Sequence, residues 1–222
     1  MHYFPLASPF LLGLLFLVGL VIVLIEIGVL EYAYAKIGIG RQYVFAILLL
    51  SFLGSYVNIP IAELPPERVL SNQVVDWFGI RYVVPTVQQH PGTIIALNLG
   101  GAIIPTLLSI YLLFKMRTFA RAFVAVVIVT IAVHMLAHPV RGIGIAVPTL
   151  VPALVAAAAA ILVAPRAAPP VAYIAGSLGT LLGADILNRE RIQGMGAPVA
   201  SIGGAGTFDG IFVSGILAVL LA

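Results

Sequence analysis

The chain has 222 residues, 62% of them hydrophobic and only 9% charged, and its mean hydropathy is strongly positive. Soluble domains carry roughly 25% charged residues, so a water-soluble class is excluded and a polytopic integral membrane protein is implied, with the lipid bilayer as its partner. The net charge of +3 is spread over short loops, which excludes nucleic acid as a partner, and the absence of cysteine removes disulfides, cysteine nucleophiles and thiolate metal sites.

A membrane-crossing helix needs about 20 mainly apolar residues. Seven segments qualify, at 9–34, 43–60, 92–114, 122–138, 143–164, 169–188 and 208–222, and they predict a single all-α transmembrane bundle over residues 1–222. The first segment reads as helix one rather than a cleaved signal peptide, because no Lys or Arg precedes its long apolar run. Glu26 lies deep along it, with Glu31 and Lys36 nearer the interface. An acid at membrane depth is expensive and points to proton or cation handling; the plainer reading is that it snorkels toward Lys36 or Arg41.

Helix two ends in Asn58-Ile59-Pro60, a polar terminus expected to face a cavity. The long loop 61–91 holds two β-rich runs, Val69–Val75 and Ile80–Val84, around Asp76-Trp77-Phe78-Gly79, and this pattern predicts an extramembrane β-hairpin. Asn98, Gly100, Gly101 and Pro105 interrupt helix three, and Gly142, Gly144, Pro148 and Pro152 interrupt helix five. Broken helices free backbone groups to line a cavity, as in transporters; the alternative is a kink that permits tight packing. The run Ala156–Ala160 reads as a close-packing surface.

His134 and His138 stand four apart on helix four, just before Pro139 and Arg141. That spacing puts both imidazoles on one helical face. Such a pair can chelate a metal, but Met135 stands where a zincin has its glutamate. Hydrogen-bonding or proton-relay roles beside an acidic site are therefore the preferred reading for His134, His138, Arg141 and Asn188, with no metal or other cofactor.

The last two segments carry the main candidate site. Helix six ends in Gly183-Ala184-Asp185 and helix seven begins near Asp209, which places two carboxylates at similar depth on one membrane face. Gly176, Gly179 and Gly183 run down helix six as a small-residue approach face. Two close carboxylates in a low dielectric share a proton, and such a dyad can activate water while protonating a leaving group. The plainer readings make Asp209 a helix cap and Asp185 an interfacial acid paired with Arg189 or Arg191.

The stretch Gly204-Ala205-Gly206-Thr207-Phe208-Asp209-Gly210, following an aspartate at the end of the preceding helix, resembles the GxGD-type intramembrane aspartyl proteases, the group of presenilin, signal peptide peptidase and prepilin peptidase. Thr207-Phe208 separates the glycines from Asp209, so only Asp185 and Asp209 carry over. The resemblance implies metal-free hydrolysis of a membrane peptide. As a whole, the chain resembles multi-pass prokaryotic families without assigned activity.

Three functions follow as expectations. The first is a membrane-embedded hydrolase using Asp185 and Asp209. The second is a proton- or cation-handling transporter using Glu26, Asp185, Asp209 and the broken helices, with Asn58 and Asn98 lining its path. The third is a scaffold without chemistry. Orientation follows from loop charge: six basic residues, Lys36, Arg41, Lys115, Arg117, Arg121 and Arg166, fall on one side and five on the other. Those five are interleaved with acids or sit in the long loop, so the N-terminus is expected outside and the C-terminus inside the cell membrane.

Overall fold

The computed structural model describes residues 23, 26–65, 67–77, 80–90, 92–140, 144–148, 150–192, 199–204 and 210–222. Helix α1 (Glu26–Lys36) is followed by α2 (Arg41–Gly54) at a bend of 116°. Gly38 makes the break. It adopts φ +79°, its N–H donates to the Ala35 carbonyl, and the Ile39 N–H donates to Tyr34, which is the Schellman termination that a left-handed glycine permits.

Beyond α2 the chain leaves helical structure, where helix two had been expected to run to residue 60. Strand β1 (Asn58–Glu63) pairs antiparallel with β4 (Ile94–Asn98), which runs parallel to β7 (Val199–Ile202). Between them, β2 (Glu67–Trp77) and β3 (Ile80–His90) form an unbroken hairpin, in register from Glu67 opposite His90 to Trp77 opposite Ile80. The hairpin is longer than the two runs read from the sequence. Phe78 and Gly79, between the two strands, lie outside the described residues.

Helix three is broken where its glycines and Asn98 predict. The chain is β-strand to Asn98, π-helical over Leu99–Ile103, and α-helical as α3 (Ile104–Met116), with Pro105 in the first turn. Helix α4 (Phe119–Leu136) then returns. It stops short of the expected residue 138 because the Ala137 backbone turns extended, and a residue before proline, here His138, is driven out of the helical region. The short strands β5 (His138–Val140) and β6 (Gly144–Ala146) pair with each other. Helix five is thereby shortened to α5 (Val151–Val163), with Pro152 at its start. Helix α6 (Ala168–Thr180) passes into a π-helical segment, Leu181–Ile186, and α7 (Arg189–Ile192) is a single turn. Helix α8 (Gly210–Leu221) closes the described chain.

Helix α6 is the axis of the bundle. It is buried on nearly every side, as expected of a helix that is apolar all round and packed by neighbours. Gly179 and Gly183 face α4: an added Cβ would lie 2.6 Å from the Val129 side chain and 2.6 Å from the Thr130 carbonyl. Gly176 faces α8, 2.8 Å from the Ser214 carbonyl by the same construction. The glycine stripe thus brings α6 to α4 as well as to α8, and α6 runs parallel to the first and antiparallel to the second. Ala156, Ala159 and Ala160 of the α5 alanine run are buried in the same core, while Ala158 is exposed.

Among the described residues, three helical stretches are long and apolar enough to cross a membrane: Leu99–Met116, Phe119–Leu136 and Pro165–Ile186. The bent pair α1–α2 makes a fourth if it counts as one span. With 13 and 12 residues, α5 and α8 are about 18–20 Å long, against a hydrocarbon core of about 30 Å. Large apolar side chains nevertheless point outward all round the helices, including Leu162 (82% exposed), Met135 (77%) and Phe45 (71%). So much exposed hydrocarbon suits lipid rather than water.

Candidate functional site

Asp185 sits within the π-helical end of the α6 span. There the Leu187 N–H donates to the Leu182 carbonyl at 3.0 Å, a bond spanning five residues instead of four. Such bulges are local insertions that recur at functional sites. Close packing explains this one. Gly183 is pressed against the α4 backbone at Thr130 and His134, and Asn188, almost fully buried, donates from Nδ2 to the carbonyls of Gly183 (2.7 Å) and Ala184 (3.1 Å). Asn188 therefore holds in place the widened turn that carries Asp185.

The half-buried Asp185 lines a cavity of about 270 Å³ together with Ile145, Ala146, Val147, Thr180, Ala184, Gly210 and Ile211. The first turn of α8 forms part of its wall. Gly210 in that wall directly follows Asp209, which itself lies outside the described residues. Thr180 is 4% exposed, and its Oγ1 has no hydrogen-bond partner among the described residues. It was not singled out by sequence reasoning. The available signal was its spacing of five from Asp185, which matters only once the helix is known to be π-wound.

The two histidines part company. His134 closes the last turn of α4, half-buried, with its Nδ1 enclosed and unpartnered among the described residues. His138 lies on β5, exposed, with Ala146 as its cross-strand neighbour. The expectation of a shared helical face is therefore corrected: Pro139 ends the helix between them. Arg141 lies outside the described residues. Among the described residues no three His, Asp or Glu side chains gather as a metal-holding group.

Asn58 and Asn98 come together, but in a different place. Asn98 is fully buried; its Nδ2 donates to the Ser55 carbonyl at 2.7 Å and to Asn58 Oδ1 at 3.1 Å, while its Oδ1 accepts from the Gly101 N–H at 2.8 Å. Ser201 of β7 also donates to Asn58 Oδ1. This knot ties the three-stranded sheet to the start of the α3 span. A small apolar cluster of Ile95, Ala102, Leu181, Ile202 and Ile211 then seats the sheet on the ends of α6 and α8.

Glu26 stands apart from both. It is exposed on α1 and borders an apolar groove of about 320 Å³ whose other lining residues are Val29, Leu30, Phe212, Val213, Ile216, Leu217 and Leu220. Neither expected snorkelling partner reaches it among the described residues. Arg41 pairs with Glu31 at 3.1 Å, and Lys36 donates to the Val219 carbonyl at 3.1 Å.

A helical bundle with lipid-suited faces and a carboxylate-lined cavity at the end of its central span defines the class as a helical membrane protein. Residues 52–221 match the family model described as protein of unknown function DUF1614, and the chain belongs to that family. The match takes in His134, Asp185, Asn188 and Asp209 and leaves out Glu26. No curated protein and no solved structure matches the chain significantly, and nothing in these comparisons ties it to the intramembrane aspartyl proteases.

Proposed function

We propose that the protein is a membrane-embedded hydrolase whose catalytic pair is Asp185 and Asp209, acting on an apolar peptide. The observation that carries this reading is the cavity, lined both by Asp185 and by Gly210, the residue after Asp209. In the proposed step, one carboxylate takes a proton from water as its oxygen adds to the scissile carbonyl. The protonated partner gives its proton to the departing amine, and the shared proton is restored. Asn188 positions the turn that bears Asp185. The transporter reading needs a polar path from Glu26 to this cavity, and the lining of the Glu26 groove supplies no other polar side chain among the described residues.

The full chain in liposomes with apolar transmembrane peptides, read by mass spectrometry, tests the proposal. Asp185→Asn and Asp209→Asn should each lower cleavage by at least about 100-fold, the scale of general acid–base catalysis. Undiminished cleavage by either variant, or no cleavage by the wild type, overturns it.

We further propose seven spans, with the segments of α1 and α2 crossing separately, with α2 (14 residues), α5 and α8 crossing a locally thinned bilayer, and with the hairpin end outside. Supporting this orientation, the opposite end gathers Lys36, which lies over the Tyr32 ring, and Lys115, which lies over Tyr111. Lys and Arg are enriched on the inner side of a membrane, and Tyr at its interfaces. The cysteine-free sequence allows a clean test. An impermeant maleimide on whole cells should label Asp76→Cys but reach Arg121→Cys only after permeabilisation; the opposite pattern inverts the topology.

A further inference from the structure

Buried hydroxyls in a spanning helix ordinarily bond back to a carbonyl one turn earlier. Ser109 of α3 does so, donating to Pro105 at 2.8 Å. Helix α6 departs from this habit. Tyr173, Ser177 and Thr180 fall at i, i+4 and i+7, on one face of the helix, and are 1%, 0% and 4% exposed. Neither Ser177 Oγ nor Thr180 Oγ1 has a well-formed hydrogen bond among the described residues, and the same holds for the hydroxyl of fully buried Tyr34 on α1.

These groups are neighbours. Tyr173 lies beside Ser177 and belongs with Tyr34 to one buried cluster, while Gly215 of α8 backs onto Ser177 and the Tyr173 ring, so that a side chain there would press on Ser177 Oγ. At the upper end, Thr180 opens into the cavity that Asp185 lines. The π-helical turn is what aligns them: with hydrogen bonds spanning five residues, Asp185 returns toward the side of Thr180. From Tyr173 to Asp185 the stripe runs about 18 Å along the helix axis. Tyr34 carries it toward the other end, two residues before Lys36, whose ammonium caps the C-terminal turn of α8.

An enclosed hydroxyl without a partner is costly, and more so at membrane depth, where no bulk water can serve it. Several in one line are best explained by mobile partners, namely water molecules and the protons they carry. We propose that the stripe Tyr34–Tyr173–Ser177–Thr180 is a proton-relay path that ends at Asp185 and makes the protein proton-permeable. Each hydroxyl passes its own proton to the next oxygen, directly or through one water, and takes another from behind. Asp185 is the terminal carboxylate that binds and releases the proton. Nothing is oxidised or reduced, and no peptide takes part.

The test uses the full chain in liposomes with an entrapped pH dye and a potassium diffusion potential. The wild type should take up protons several-fold faster than empty liposomes. Ser177→Ala, Thr180→Val and Tyr173→Phe should each reduce that rate at least fivefold. All three preserve the shape of the side chain or shrink it slightly, and Ser177→Ala and Thr180→Val, which remove hydroxyls without a well-formed bond, should leave thermal stability unchanged or raised. A lost relay is thereby separated from a lost fold. Wild-type flux equal to that of empty liposomes, or variants conducting like the wild type, overturns the proposal. Because no peptide is present, failure here leaves the cleavage experiment standing, and failed cleavage leaves the flux experiment standing.

Discussion

Two buried polar regions lie at the same end of this bundle and are built on opposite principles. Around Asn98, three hydrogen bonds occupy the side-chain amide, and Asn58, Ser55, Gly101 and Ser201 complete the knot. Around Asp185, by contrast, Thr180 Oγ1, Asn188 Oδ1 and His134 Nδ1 are enclosed without partners among the described residues. A satisfied network specifies one structure, and an unsatisfied one is tolerated where mobile groups must come and go. The difference explains why two asparagines read from the sequence as cavity residues turn out to hold a sheet in place, while a threonine that looked unremarkable borders the cavity.

The contrast makes graded predictions for stability in detergent, measured by thermal or denaturant unfolding. The largest loss belongs to Asn98→Ala, which strands a buried N–H and a buried carbonyl and should cost about 3 kcal/mol; a cost no larger than that of Thr180→Val would break the comparison. Next is Gly183→Ala, whose new methyl would press on the Thr130 carbonyl and the Val133 side chain. About 1–3 kcal/mol is expected for such overpacking, together with a shift of the π-turn that lowers cleavage. Asn188→Ala removes two hydrogen bonds to the turn and should cost about 1 kcal/mol, with a larger proportional loss of activity than of stability. Thr180→Val should sit near zero or slightly positive in stability. At the small end, Arg41→Ala breaks an ion pair whose arginine side chain is 86% exposed, and a change within about 0.5 kcal/mol is expected.

Much of the fold was legible in the sequence because its signals are local. The sparse charge marked the membrane class, the paired β-rich runs marked the hairpin, and Asn98 with its glycines marked the break before α3. Less of the site could be read. The histidine spacing suggested one helical face, yet Pro139 moved His138 onto a strand. The glycines of α6 announced close packing without saying against which helix, and they meet both α4 and α8.

Sequence alone determined that the chain is apolar enough to live in lipid, and that Asp185 is a carboxylate in an otherwise hydrophobic segment. Both follow from composition and from the free energy of transferring side chains, which need no partner to be evaluated. Tertiary structure decided that α6 is the central helix, that its end is π-wound, and that Thr180 and Asp185 therefore border one cavity. Those outcomes depend on where the backbone of α4 comes to rest against Gly183. A contact between residues some fifty positions apart leaves no period or spacing for a sequence to display.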